Sequence, residues 1–349
     1  MQMIHAQIHD VTPAEVLPTF TEFAEILEID LERDDDGLAL SVSGGRIGMR
    51  AAPGGLALRL EADTDRRLYL LQQMVMNRLD RLTPVPRLDW ERVDAGALPP
   101  NLSIATVEDM RRISPNFTRV RVSFEDVARY AEDGLHFRLL ISALPPDRAR
   151  GGSVVQWPHI DARGRTRWPE GDAALHRPVY TVRDVDPAAG WMDFDVFLHD
   201  GGRVSAWTER ARPGDRIGLM GPTTLKRDMP GWVALCGDET ALPAIALYLR
   251  SLPEGTHGHA LISCADPADR QALIVPPGVT LDWIDGTPGA LVAALKALPL
   301  PPDNRFVYFG AERSDADEAR KWLREVNGLS RAEANVTAFW SHGDEETIS

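Results

Sequence analysis

The sequence predicts a multidomain chain of mixed α+β and α/β class: a small N-terminal α+β domain, an antiparallel β-barrel and a C-terminal Rossmann-like parallel sheet. Three observations predict it. Residues 1–95 combine two amphipathic helical stretches with short alternating strands. Residues 100–225 hold short strands at regular spacing with Gly and Pro turns, the pattern of a small barrel. Residues 230–345 alternate strand and helix, which implies a parallel sheet covered on both faces.

In the first block, Thr12 reads as an N-cap, with Pro13 at the first helical position and Glu15 closing a capping box, so a helix runs to Leu27. Strands follow at Leu38–Val42, Arg46–Ala51 and, after the turn Pro53-Gly54-Gly55, Leu56–Glu61. A second helix spans Asp65 to Leu82, with Leu68, Leu71, Val75, Leu79 and Leu82 on one face. Met74 and Met76 read as packing residues. The segments TPVPRLDW and GALPPNLS read as a linker and an entry loop. No catalytic constellation stands in this block.

The barrel strands are expected at Ile104–Met110, Thr118–Phe124, Leu135–Ser142, Pro178–Arg183, Met192–Leu198 and Arg216–Leu219. An insertion from Pro145 to Leu175 is long for a structureless loop and is expected to cover a ligand. In the third block the strands are Trp232–Cys236, His259–Cys264, Val279–Ile284, Phe306–Phe309 and Val336–Trp340. A helix at Leu242–Leu249, one capped by Thr287 and one capped by Ser314 and stopped near Gly328 lie between them. Ligands of such sheets bind beyond the carboxyl ends of the strands, so a barrel packed there forms the second wall of a cleft.

Composition narrows the function classes. The chain has 349 residues, enough for two or three cores, and 44% hydrophobic content excludes bulk disorder. No run approaches the roughly 18 apolar residues of a membrane span, and the first residues read as no signal peptide. The two cysteines, Cys236 and Cys264, form neither a disulfide framework nor a zinc spacing, and read as buried free thiols of a protein in a reducing cytoplasm. A net charge of −14 argues against nucleic acid as a partner.

Five segments carry the chemistry. HRPVYTVRD (176–184) reads as a strand with Arg177 and Arg183 on one face, which suits a solvated face or an anionic aromatic ligand. FLHDGGRVSAW (197–207) places Gly201, Gly202 and Ser205 before a helix carrying Trp207, a candidate anion loop with Arg203 beside it; His199 by itself reads as structural. VALCGDETALPAI (233–245) puts Gly237 after a strand and Thr240 before a helix, either a nucleotide site or an ordinary turn. YFGAERSDADEA (308–319) repeats the strand–Gly–helix pattern. In AFWSHG (338–343), Trp340 reads as a core aromatic or as a lid on a planar ligand.

In this order the segments RPVYTVR, FLHDGG with SAW, PGDRIGLMGP, GDETALPAI, GAE and AFWSHG resemble the siderophore-interacting proteins, flavin-dependent ferric-siderophore reductases of the ferredoxin-reductase-like group. The resemblance covers residues 103–345. The first block more loosely resembles a small uncharacterised domain fused ahead of such reductases. The resemblance implies an FAD-binding barrel and a sheet domain for NADH or NADPH. It implies Arg177 at the FAD pyrophosphate, Tyr180 stacked on the flavin and Thr181 near the nitrogen where hydride arrives, with Val182 and Arg183 continuing the strand beneath. His199, Gly202, Ser205 and Trp207 would complete the FAD site. Gly237, Thr240, Pro243, Gly310 and Glu312 would form the nicotinamide cleft, and Trp340 would approach the flavin ring. Tyr180 and Thr181 would carry the chemistry.

The resemblance implies a ferric siderophore or other iron chelate as substrate, with iron as cargo rather than resident metal. Other acceptors (a quinone, free flavin or a redox protein) and a non-enzymatic chelate-binding role are the alternatives. Where many members carry cations, this chain has Ala206, Ser341 and His342; Arg138 keeps one basic position, and Arg112 and Arg203 are candidates to compensate. Asp266, Asp269 and Asp285 near the strand ends suit a free ribose and Arg270 suits a 2′-phosphate, a balance that leans to NADH. Oligomeric state is not legible.

Overall fold

The computed structural model describes every residue except 35, 43, 133, 143–154, 224–227 and 343–349. The chain divides into two compact units: Met1–Ser103 with Gly152–Leu175, and Ile104–Gly151 with His176–Ser349.

The first unit is an antiparallel sheet with two helices. Its elements are β1 (Gln2–His9), α1 (Pro13–Leu27), β2 (Asp30–Arg33), β3 (Gly37–Val42), β4 (Gly45–Ala52), β5 (Gly55–Ala62), α2 (Asp65–Leu79) and β6 (Leu88–Trp90). The strand order is β2-β3-β4-β5-β1-β6. Alternation sends Leu56, Leu58 and Leu60 of β5, and Ile4, Ala6 and Ile8 of β1, into one core with Val16 and Phe20 of α1 and Leu71 and Val75 of α2. Met76 is buried in that unit and Met74 packs against its core. At the start of α1 the Glu15 carboxylate accepts the Thr12 backbone N–H at 2.7 Å, the capping box the sequence predicts. Helix α2 ends at Leu79, three residues before the predicted stop, with Asp80 as C-cap. Strand β1 is not among the predicted elements, although Ile4, Ala6 and Ile8 carry its period, and β6 forms inside the predicted linker.

The described part of the long insertion belongs to this first unit. Its hairpin pairs His159–Ile160 with Thr166–Arg167. Three contacts with α2 and its C-cap fix it: Tyr69 Oη to Thr166 Oγ1 at 2.6 Å, Gln73 Nε2 to the Gly164 carbonyl at 2.8 Å, and a two-pronged Arg165–Asp80 pair at 2.7 and 2.8 Å.

The second unit holds the barrel and the parallel sheet. The barrel strands are β7 (Leu102–Ser114), β8 (Phe117–Ser123), β9 (His136–Ser142), β10 (Val179–Asp186), β11 (Trp191–Phe197) and β12 (Arg216–Met220), with a short α3 (Ala128–Glu132) and α4 (Arg203–Arg210). Pairing runs β9-β10-β11-β8-β7-β12, and β12 pairs back onto β9, so the sheet closes on itself and leaves no open edge. Val107, Val120, Phe137, Leu139, Val182, Phe194 and Trp207 fill it.

The sheet strands are β13 (Trp232–Gly237), β14 (His257–Cys264), β15 (Val279–Asp285), β16 (Arg305–Glu312) and β17 (Ala334–Trp340). All pairings are parallel, in the order β15-β14-β13-β16-β17. Helices α5 (Leu242–Ser251), α6 (Ala290–Ala297) and α7 (Arg313–Lys321) connect them. The order reverses between β13 and β16, where Gly237 pairs with Gly310; this is the switch point at which such sheets bind ligands. Two predicted caps shift. Helix α6 starts at Ala290 behind Gly289, not at Thr287, because Gly289 takes a left-handed φ of 78°. Helix α7 is capped by Glu312, whose carboxylate accepts the Ser314 N–H at 2.5 Å, so Ser314 is a donor rather than the cap. Cys236 and Cys264 are buried free thiols, and burial pushes the Cys264 thiol up to about 11.

Barrel and sheet lock together through one buried carboxylate. Asp269, 1% exposed, accepts Ser114 Oγ at 2.7 Å, Asn116 N at 2.8 Å and Asn116 Nδ2 at 2.7 Å from the β7–β8 turn. Asp269 is therefore committed to domain packing and not to a ribose. Arg250 of α5 adds an ion pair at 3.0 Å to Asp184 of β10.

Candidate functional site

The site grows from β10. Val179–Thr181 of β10 pair with His136–Arg138 of β9, opposite Thr181 standing His136. Thr181 is 6% exposed, and its hydroxyl lies 3.1 Å from His136 Nδ1. Burial pushes the imidazole down to about 4, so His136 is neutral at neutral pH. Tyr180 packs edge-on against Phe194 at 5.6 Å between ring centroids, half-buried on the barrel wall. His136 also meets Phe339 of β17, ring centroids 6.2 Å apart. One histidine thus joins the barrel's Thr181 to the terminal strand of the sheet. Sequence reading missed His136; its only signal is the alternation in HFRLL that puts it on the face opposite buried Phe137.

A basic cluster stands at the start of β10. Arg138 donates from Nη1 to the Arg177 carbonyl at 3.3 Å, and burial together with the Arg177 charge lowers its pKa. His176 is lowered by burial and by the charge of Arg203. Four basic side chains therefore gather beside the N-terminus of α4. There Gly202, not Ser205, is the N-cap. Ser205 lies in the first turn, and its Oγ accepts the His199 backbone N–H at 3.1 Å, tying strand end to helix. A Cβ at Gly202 would stand 2.7 Å from Ser205 Oγ and 2.9 Å from the His199 ring, so a side chain there would have to push both aside. His199 is exposed, with Nδ1 3.1 Å from the Asp200 carbonyl. This donor set, backbone amides at a helix start within a field of cations, fits the pyrophosphate of the implied FAD, and the Tyr180 ring offers an apolar face.

Three expected contacts are spent elsewhere. Val182, 1% exposed, and Trp207, 8% exposed, point into the barrel core. Arg183 does not share a ligand face with Arg177: Arg177 precedes β10, and a register shift falls between Val182 and Asp184. The Arg183 guanidinium instead lies 3.2 Å from Asp195, which is itself clamped by Arg119 at 2.6 and 2.8 Å. Arg112 is likewise occupied, donating to the Ser114 carbonyl at 3.1 Å. Ala206 is exposed on α4.

The second half of the site lies at the switch point. Gly237 and Gly310 face each other across β13 and β16. A Cβ on Gly237 would meet Ala241 at 2.5 Å and the Gly310 carbonyl at 2.8 Å, so this glycine serves close packing of strand and turn. Thr240 sits in a 3₁₀ turn and caps no helix; its Oγ1 donates to Asp238 Oδ1 at 2.5 Å and its N–H to the same oxygen at 2.9 Å. Pro243 is buried in the first turn of α5. Asp238 Oδ2 accepts the Glu312 N–H at 3.1 Å and Trp340 Nε1–H at 2.7 Å. Trp340 is thus neither core nor free lid but a half-buried ring tied across the crevice. Its ring also meets the His342 ring edge-on, centroids 4.7 Å apart; Gly343 of AFWSHG lies outside the described residues. Asp238 is the second residue missed: a carboxylate after the strand reads as hostile to phosphate, and its four donors are invisible in sequence.

Among the described residues no group of three or more His, Cys, Asp or Glu is placed to hold a metal ion, and no helix is long and apolar enough to cross a membrane. Residues 106–225 match the model of the siderophore-interacting FAD-binding domain, and residues 230–343 that of the siderophore-interacting protein. The ferric vibriobactin reductase ViuB of Vibrio cholerae serotype O1 is 27% identical over 67% of this chain and 87% of its own. The NADPH-dependent ferric-chelate reductase of Escherichia coli is 27% identical over 67% and 91%. A siderophore utilization protein from T. fusca superposes with a TM-score of 0.60 at 28% identity, covering 72% of this chain and 97% of its own. The barrel, the switch-point sheet and these matches agree, and the chain belongs, through residues 106–343, to the siderophore-interacting protein family.

Proposed function

We propose that this chain is an FAD-dependent oxidoreductase that takes electrons from a nicotinamide dinucleotide and passes them to ferric iron in a siderophore or another chelate, releasing Fe(II). The observation that carries the reading is the bridge through His136. It joins Thr181 on the barrel, at 3.1 Å, to Phe339 beside Trp340 at the switch point, so the flavin and nicotinamide sites share a wall. Bound FAD supplies hydride acceptance and single-electron delivery. The chain supplies the rest. Arg177, Arg138, His176 and Arg203 hold the anionic end of FAD. Tyr180 offers the ring its apolar face, and neutral His136 orients the Thr181 hydroxyl toward the site. Two buried free thiols suit a reducing compartment such as the cytoplasm.

An absorbance spectrum followed by anaerobic NADH and then a ferric siderophore tests the reading. Flavin bleaching by NADH and reoxidation by the chelate are expected. A colourless protein that takes up no FAD overturns it, and reoxidation by quinone or free flavin but not by ferric chelates moves the substrate elsewhere. Thr181→Val is expected to slow flavin reduction about tenfold, the worth of one neutral hydrogen bond, with FAD occupancy unchanged in a stopped-flow experiment.

The coenzyme is expected to be NADH. Glu239 Oε1 accepts the Ala265 N–H at 2.5 Å, and Asp266 caps the following turn through the Ala268 N–H at 2.9 Å, so carboxylates line the end of β14 where a 2′-phosphate would lie. Arg270 is drawn toward the Trp283 ring, 5.7 Å from its centroid. The kcat/KM for NADH should exceed that for NADPH by about tenfold or more, the cost of one like-charge contact. Glu239→Gln should narrow the ratio.

A further inference from the structure

Trp340 ends β17, and Asp238 follows β13, two strands away in the order β13-β16-β17. Neighbouring strands lie about 4.8 Å apart, so the Trp340 and Asp238 side chains together bridge roughly 10 Å across the end of β16. That end is the switch point. The ring therefore stands across the crevice where a dinucleotide enters. Its anchor is well built. Asp238 is 8% exposed and accepts four hydrogen bonds, two from Thr240, one from the Glu312 N–H and one from Trp340 Nε1–H.

We propose that Asp238 is a positioning residue for Trp340, holding the indole across the switch-point crevice and thereby setting how readily a nicotinamide dinucleotide binds. The inference deepens the functional reading above and rests on it for the identity of the ligand. A dinucleotide must move the ring and so break the Asp238–Trp340 bond. That bond is strongest while the carboxylate is ionised. Burial pushes Asp238 up to about 6, against the pull of the Thr240 and Trp340 hydrogen bonds. Above that pH the tie is at full strength; below it the acceptor is protonated and the tie weakens. The other ionisable groups around it are Glu239 on the same turn, Tyr308 and Glu312 from β16, Tyr248 from α5 and His342 after β17.

Two measurements test this. In protein labelled at the tryptophan indole nitrogen, with the Trp340 signal assigned by its loss in Trp340→Phe, the resonance should move with a midpoint at about pH 6. In Asp238→Asn, which has no carboxylate to titrate, it should stay flat. NADH should bind about tenfold more tightly to Asp238→Asn and to Trp340→Phe than to the parent at pH 7.5, the worth of a charge-assisted bond. The double variant should bind no more tightly than either single one, because both remove the same tie. An indole signal that does not titrate, or that titrates alike in Asp238→Asn and so follows another group, overturns the proposal, as do additive effects on NADH affinity. Should Asp238→Asn fail to fold, Trp340→Phe and the parent titration still decide: unchanged NADH affinity in Trp340→Phe overturns it. The indole titration needs neither flavin nor coenzyme, so failure of flavin bleaching would sink the functional reading without touching that result.

Discussion

Asp195→Ala is expected to cost about 3–5 kcal/mol of stability, the usual effect of removing one partner from a buried ionic group. The Asp195 side chain is fully buried, and Arg119 and Arg183 beside it are 18% and 14% exposed. Without the carboxylate two guanidinium groups face each other across the barrel wall with no anion between them. The Arg119 fork loses both its bonds, at 2.6 and 2.8 Å. Thermal unfolding of the second unit should fall by about 2–4 °C for each kcal/mol lost. The neighbouring pair, Arg121 with Asp193 at 2.7 and 2.8 Å, provides the contrast. Arg121 lies 3.6 Å from the Trp191 ring and is the more exposed arginine, at 34%, so Asp193→Ala should cost less. Equal stability of Asp195→Ala and the parent in denaturant titrations would show that water or rearrangement satisfies both arginines.

Arg177→Ala is expected to weaken FAD binding about 10- to 100-fold, the range for one lost charge-assisted hydrogen bond. Arg177 stands at the mouth of β10 within the group of Arg138, His176 and Arg203. It is exposed and lies outside every described core, so the fold should survive its loss. Flavin content after purification and a fluorescence titration of the FAD-free protein measure the effect. Arg183→Ala separates the two arginines that the sequence presents as a pair: it should lower stability through Asp195 while leaving FAD affinity nearly unchanged. An Arg177→Ala protein that keeps full FAD occupancy would undo the placement of the pyrophosphate.

Much of the fold is written locally. Alternation in GLALRLEA, the Thr12–Glu15 box and the strand–Gly–helix rhythm after Gly231 each depend on residues within a few positions of one another. Side-chain periods of 2 and 3.6, turn chemistry and caps are short-range properties, so they read directly from the chain. Strand β1 escaped because its alternation uses Ala6 and is interleaved with His5, Gln7 and His9. The cap at Thr287 shifted because the backbone turns through a left-handed Gly289 before the helix begins, and the cap at Ser314 because the Glu312 carboxylate accepts the Ser314 N–H.

The sequence by itself determined the barrel, the parallel sheet, the family and the strand that carries Arg177, Tyr180 and Thr181. Only the tertiary structure decided which of those side chains face the site. It turned Val182 and Trp207 inward, gave Arg183 to Asp195 and Asp269 to the barrel hairpin, and moved the long insertion to the N-terminal unit. It also supplied the two residues that sequence reading passed over. His136 meets Thr181 across 45 positions, and Asp238 meets Trp340 across 102. The physical reason is common to all of them. A buried polar group must find its partner wherever the fold brings one, and that partner is set by strand order and register, which no local pattern encodes.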